Sequence, residues 1–174
     1  MHCVKMPPTT DPLPELDRTD LRMLDILQEH GRMQNADLAR KLALSAAPSL
    51  RRLQRLEASG VIARYAAIVD PRKVGLGVIA HLDVMLDKQA EHARSTFRKA
   101  VQRWPEVLSG YALTGQWDYS LKVVARDLDT YAHFLMEKVL SLPVVVNVQS
   151  AFVLETVKDT TALPLGAARD ESPR

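Results

Sequence analysis

Residues 45–59, SAAPSLRRLQRLEAS, place three arginines within five positions behind a serine and a proline. Wound as an α-helix at about 100° per residue, Leu50, Leu53 and Leu56 make one stripe. Pro48, Arg51 and Arg55 then point roughly 140–160° away from its centre, flanked by Arg52 and Gln54. Guanidinium groups read guanine edges and phosphates bidentately, and a helix N-terminus attracts phosphate, so such a face suits insertion into a DNA major groove. The candidate contacts are Ser45, Ala47, Pro48, Ser49, Arg51, Arg52 and Arg55. The plain alternative is a solvated amphipathic helix. Chemistry of other kinds has little to build on. His81, His92 and His133 lack metal-ligand spacing, Cys3 is the single cysteine, and neither a nucleophile with its base nor a phosphate-loop glycine pattern occurs. No metal or cofactor is expected.

The elements that must hold the arginine helix can be read upstream. Leu16, Leu21, Leu24 and Leu27 recur at helical spacing. Asp17 stands at the cap position, with Leu16 and Leu21 placed to staple, and Gly31 is the expected left-handed stop. Asn35 is expected to cap a short helix whose Leu38, Ala39 and Leu42 face inward. A two-residue connector, Ala43 and Leu44, leads to Ser45, the expected cap of the third helix, which ends at Gly60. Pro48 in the first turn costs little, because its missing N–H has no partner there. Three helices with a tight turn between the last two make a helix-turn-helix, and Val61, Ile62 and Arg64–Val69 are expected to add a hairpin wing. Ala43 conflicts with this scheme. Such turns often need a left-handed residue, which costs a non-glycine residue about 1–2 kcal/mol.

The chain has 174 residues, 47% of them hydrophobic and 25% charged, enough for one domain or two small ones with a real core. Disorder throughout and a repeat array are excluded. Without a signal-like start or an apolar run long enough to span a bilayer, and with one cysteine, a reducing cytoplasmic setting and no membrane partner are expected. Net charge is +2. Residues 17–64 carry nine basic and six acidic side chains, whereas 65–174 carry thirteen of each. The basic excess is local and modest, so pattern carries more weight than charge.

After Asp70 and Pro71 the periodicity changes. Val78, Ala80, Leu82, Val84 and Leu86 alternate with Ile79, His81, Asp83 and Met85 as a strand; Ala93, Phe97, Ala100, Val101 and Trp104 follow at helical spacing. Val107–Leu113 and Tyr119–Ala125 read as strands around a loop of Thr114, Gly115, Gln116, Trp117 and Asp118. Leu128, Tyr131, Ala132, Leu135 and Val139 mark a helix capped by Asp127. Alternation returns over Val146–Leu154, with Val146, Val148, Phe152 and Leu154 on one side. The expected fold is α+β: an N-terminal winged helix-turn-helix plus a C-terminal ferredoxin-like βαββαβ domain with both helices on one sheet face. The other face would expose Ile79, Met85, Leu108, Ala112, Val124 and Val153, an apolar patch that a homodimer would cover. The expected organisation is a mobile arm 1–15, a DNA-binding domain 16–64, a linker strand and hinge 65–77, the βαββαβ domain 78–158 and a tail 159–174, with mobile ends.

The runs LDRTDLRMLDILQEHGR, NADLARKLALS, LRRLQRLEASGVIARYAAIVDP, GQWDYSLKVV and VKDTTALPL, in this order, resemble the Lrp/AsnC, or feast/famine, transcription regulators over about residues 16–165. The resemblance implies double-stranded DNA as partner, dimers that assemble into octamers or other higher forms, and a free amino acid as effector held at the loop between the second and third strands. Carried onto this chain, that loop is Thr114–Tyr119. Asp118 would accept from the effector's ammonium, N–H groups of Gly115, Gln116 and Trp117 would hold its carboxylate, and Asn147, Gln149 and Ser150 would be further contacts. Asp118 could equally be a turn residue bonding backbone, and Trp117 a packed aromatic. Two positions depart from the family pattern: Ser120, where an apolar residue is usual, and Pro143–Val144, where Pro-Gly is frequent. The rival readings are a winged-helix protein-binding adaptor, against which outward arginines argue, and a ferredoxin-like enzyme, for which catalytic groups are missing.

Overall fold

The computed structural model describes residues 14–90 and 92–166, which divide into two compact units. Cys3 and most of the two expected mobile ends lie outside the described residues. One unit runs up to Ile68 and regains the chain from Lys158; the other is Val69–Val157.

The first unit has three helices, α1 (Arg18–Glu29), α2 (Asn35–Lys41) and α3 (Ala46–Ala58). Asp17 caps α1 in a reciprocal box: its carboxylate accepts from the Asp20 amide at 2.8 Å, and the Asp20 carboxylate accepts from the Asp17 amide at 3.0 Å. Met23, Leu24, Leu27, Leu38, Leu42 and Leu56 close the core, with Leu16 and Leu21 packed beside it. Gly31 is not the expected left-handed stop. His30 ends α1 by donating to the Ile26 carbonyl, and the chain leaves through a turn from His30 to Met33, so no positive φ is required. Leu50 also differs, being 42% exposed; the inner face of α3 is Ser49, Leu53 and Leu56. No strand forms over 61–70, so the expected hairpin wing and linker strand are absent among the described residues. Val61 and Ile62 pack on the core instead, and the Tyr65 hydroxyl donates to Glu57 at 2.9 Å. Burial first, then this carboxylate, raises the Tyr65 phenol to about 12. Residues expected as a separate tail return to this unit. The Gln28 amide donates to the Leu163 carbonyl at 3.1 Å and accepts from its N–H at 2.5 Å, and Leu165 packs on the core.

The second unit follows a short 3-10 turn at Arg72–Val74 and runs β1 (Val78–Leu86), α4 (Ala93–Val101), β2 (Val107–Ala112), β3 (Tyr119–Ala125), α5 (Leu128–Phe134) and β4 (Val145–Phe152). α5 is capped by Asp127, whose carboxylate accepts from the Thr130 amide at 2.7 Å, and it continues as a π-helical turn over Leu135–Val139. The sheet is antiparallel in the order β2-β3-β1-β4, the ferredoxin-like arrangement. Its helix-covered face contributes Ala80, Leu82, Val84 and Leu86 from β1 and Tyr119, Leu121, Val123 and Ala125 from β3. Phe97, Trp104 and Phe134 meet edge-on, at 6.2 Å and 5.5 Å between centroids, and each such pair adds about 0.5–1.5 kcal/mol beyond burial.

Register corrects the expected apolar patch. On the helix-free face β1 places Ile79, His81, Asp83 and Met85, and β3 places Ser120, Lys122 and Val124, so the surface is mixed and not bare hydrocarbon. Ala112 pairs with Tyr119 and therefore belongs to the helix face. Leu108, 55% exposed, lies at an irregularity between Val107 and Ser109, and Val153 follows β4, donating to the Ile79 carbonyl. A bulge beside Met85/Leu86 shifts Val146 out of the alternation, leaving it 62% exposed, and Leu154 is 93% exposed. Val146 is the extra residue of that bulge, whereas Leu154 lies beyond the end of β4 at Phe152 and has no neighbouring strand to cover it.

Candidate DNA-reading helix and effector pocket

The connector before α3 is a helix stop of defined geometry. Ala43 has φ +55°; its N–H reaches the Arg40 carbonyl at 3.2 Å and the Leu44 N–H reaches that of Ala39 at 2.9 Å, the double bond of a Schellman motif with alanine where glycine is usual. Leu44 packs toward the core in the accompanying apolar contact. Ser45 sits at the cap position of α3 without a side-chain bond to the helix. Asn35 does not cap α2 either, since Gln34 holds that position. Its amide instead spans the turn, donating to the Ala46 carbonyl at 2.9 Å and accepting from the Ser49 hydroxyl at 2.8 Å. Ser49 is fully buried by this bond and is withdrawn from the candidate DNA contacts.

The three arginines separate. Arg51 is exposed beside Pro48, with Ser45 and Ala47 also open to solvent. Arg52 donates to Asp17 at 2.6 Å and to Asp20 at 2.8 Å, and Arg55 donates to the other Asp20 oxygen. Asp20 is wholly buried. The backbone amide of Asp20 first, and then Arg52, hold the Asp17 carboxyl below the usual carboxylate range, and the hydrogen bonds Arg52 donates to Asp17 and then to Asp20 raise its guanidinium. Arg52 and Arg55 thus lie on the outer side of α3, as their spacing requires, but they are tied to α1. The pattern Asp-x-x-Asp in LDRTD carried the capping half of this arrangement; nothing local in the sequence joins positions 17 and 20 to 52 and 55.

At the other site, Leu113 donates to the Asp118 carbonyl, closing the loop between β2 and β3, and Gly115 takes φ +116°. Thr114, Gly115 and Gln116 are exposed and Trp117 is half-buried. One Asp118 oxygen accepts from the Leu86 amide at 2.9 Å, and the other lies 3.9 Å from Arg94. That carboxylate borders a cavity of about 330 Å³ between the end of β1, the following loop and α4, whose other walls include Leu86, Asp87, Lys88, Ala93 and Arg94. Sequence reasoning did not reach Lys88 or Arg94. Ser150 is not at this site: it pairs opposite Leu82 on the helix face, and its hydroxyl bonds Tyr131 at 2.6 Å. Asn147 and Gln149 pair with Met85 and Asp83 on the helix-free face, and Asn147 accepts from the Val148 amide. Ser120, paired with Asp83 and Tyr111, lies on that face too, where a hydroxyl needs no apolar neighbour. Val144 has no positive φ, so the missing glycine after Pro143 is not needed.

Residues 16–63 match the winged helix-turn-helix DNA-binding model and residues 79–163 the Lrp/AsnC ligand binding domain model. The Bkd operon transcriptional regulator of Pseudomonas aeruginosa is 38% identical over 87% of this chain and 99% of its own length. The chain belongs to the Lrp/AsnC family. As in that family, it is a transcriptional regulator with a helix-turn-helix DNA-binding domain and not an enzyme. The leucine-responsive regulatory protein of Escherichia coli is 33% identical over 86% of this chain and 91% of its own. A transcriptional regulator of Neisseria meningitidis, solved as a complex with L-Met, superposes with a TM-score of 0.86 at 44% identity, covering 88% of this chain and 99% of that one. Among the described residues, no helix of this Lrp/AsnC regulator is long and apolar enough to cross a membrane, and no group of three metal-ligating side chains occurs.

Proposed function

We propose that this regulator reads duplex DNA through the exposed start and outer face of α3, at Ser45, Ala47, Pro48 and Arg51, and that a free amino acid bound beside Asp118 tunes that binding. The carrying observation is the solvent-exposed Arg51, with half-buried Pro48 beside it, on a tri-helical unit that matches the winged helix-turn-helix DNA-binding model. The cavity supports the effector half. Asp118 and Asp87 suit an ammonium and Lys88 and Arg94 a carboxylate, the pairing a zwitterion needs, and a relative is known as an L-Met complex. N–H groups of Gly115, Gln116 and Trp117 would then complete the carboxylate's shell from the loop. An effector that binds one assembly state more tightly shifts the population toward it, and with it the spacing of the two α3 helices in a dimer.

A homodimer through the helix-free face fits this reading. Ile79 and Met85 are half-buried there and Tyr111 is 63% exposed. Met85→Glu tests the dimer by sedimentation and should yield monomers; Val124 is already 5% exposed in the single chain, so a charge there would probe the fold.

The DNA reading is tested by titrating the chain's own upstream DNA at several salt concentrations. Affinity should fall steeply with salt, and Arg51→Ala should cost about 1–3 kcal/mol. Thermal shift with each of the twenty amino acids tests the pocket: at least one should stabilise the parent, and stabilisation that survives Asp118→Ala would remove Asp118 from the effector site.

A further inference from the structure

The arginines of α3 differ in what already holds them. Asp20 has no solvent exposure, and both its oxygens are occupied: Oδ1 accepts from Arg52 Nη1 at 2.8 Å, while Oδ2 accepts from the Asp17 amide at 3.0 Å and from Arg55. Asp17 adds a second acceptor to Arg52 at 2.6 Å. Two guanidinium groups and two carboxylates make a neutral cluster in the depression where Asp17, Pro48, Arg51, Arg52 and Arg55 meet. We propose that Asp20 is a positioning residue that withholds Arg52 and Arg55 from DNA phosphates, leaving Arg51 as the arginine through which α3 engages DNA. This rests on the DNA-reading role of α3.

The physical reason is an unequal exchange. A phosphate that drew Arg52 or Arg55 away would form an ion pair exposed to water, but it would leave the buried Asp20 carboxylate one guanidinium short, held by the other arginine and the Asp17 amide alone. Arg51 has no such tie to Asp20. Neutralising two of three arginines trims the sequence-independent part of the affinity, which scales with the number of phosphates paired, while the same bonds fix α3 against α1 and so aim Pro48 and Arg51. Asp20 therefore lowers total affinity and raises discrimination.

The test is fluorescence anisotropy of the full chain on random-sequence duplex and on its own upstream DNA across a salt series, with circular dichroism confirming folding. The logarithmic salt slope changes by about 0.9 for each DNA phosphate that a side-chain cation newly neutralises or ceases to neutralise. Arg51→Gln should make the slope shallower by about one such step; Arg52→Gln and Arg55→Gln should leave it unchanged. Asp20→Asn should steepen it by up to about two steps and bind random duplex more tightly, lowering the ratio of specific to random affinity. A merely structural role for Asp20 would weaken binding to both duplexes. A shallower slope in either glutamine variant of Arg52 or Arg55, or a folded Asp20→Asn protein that binds random duplex no tighter than the parent, overturns the proposal. Where Asp20→Asn does not fold, the two glutamine variants decide. A parent chain with no salt-dependent affinity for any duplex would remove the DNA reading itself, an outcome distinct from these.

Discussion

Replacing Ala43 by glycine isolates one backbone term. Ala43 holds φ +55° because the stop of α2 demands it: the paired bonds from its own N–H and that of Leu44 close only when this residue turns left-handed. An L-residue there costs about 1–2 kcal/mol, whereas glycine enters freely but loses roughly 0.5–1 kcal/mol more unfolded-chain entropy. The Ala43 methyl is exposed, so its removal forfeits little burial. Taken at the middle of each range, the balance favours glycine by about 0.75 kcal/mol. At about 4–8 °C per kcal/mol for a domain of 60–100 residues, the transition of the helix-turn-helix unit should rise by roughly 3–6 °C. Differential scanning calorimetry reads this directly. DNA affinity should be unchanged, since residue 43 precedes α3 and its side chain contributes no contact. Ala43→Val should move the melting temperature the other way, because β-branched side chains tolerate positive φ least. A melting temperature in Ala43→Gly equal to or below the parent's would refute the strain argument.

Three further outcomes are expected. In Gly110→Ala the new Cβ would lie 2.8 Å from Leu121 Cδ2, a side chain 1% exposed with little room to yield, so chemical denaturation should show a loss of about 1–3 kcal/mol. Gln28→Ala removes both bonds to Leu163; limited proteolysis beyond Lys158 should accelerate, with stability lower by about 0.5–1.5 kcal/mol at most. Because the native Asp17 carboxyl is held below its ordinary value, its contribution is complete above the unfolded-state pKa and disappears as pH falls through the lowered one. Asp17→Asn keeps the cap acceptor and should flatten that acid limb in denaturation curves taken from neutral to about pH 3.

Periodicity and punctuation carried most of the architecture. Leu38, Ala39 and Leu42 are buried as their spacing requires, Asp17 and Asp127 cap where the sequence places them, and α3 stops just before Gly60, the end that the sequence marks. The alternation of Val78–Leu86 also assigns the two faces of β1 correctly. Errors gathered where a local rule has more than one solution. Asn35 has the side chain of a cap, yet a buried hydroxyl fourteen residues on offered it a better partner. Gly31 permits a left-handed stop, but His30 had already closed the helix. Val146 obeys alternation only until a bulge intervenes, and the segment rich in β-branched and aromatic residues after Val61 found no strand to pair with.

The sequence by itself determined the two-unit α+β plan, the helix-turn-helix with its strained alanine, and which side of α3 is basic, because these depend on side-chain period, caps and turn chemistry within about a dozen residues. Only the tertiary structure decided which of those arginines are tied to carboxylates of α1 and what surrounds Asp118. Arg52 and Arg55 meet Asp17 and Asp20 across more than thirty residues of chain, and the Asp118 carboxylate meets the Leu86 amide across a strand pair. A charge's partner is set by which elements pack together, and no short-range spacing records that choice.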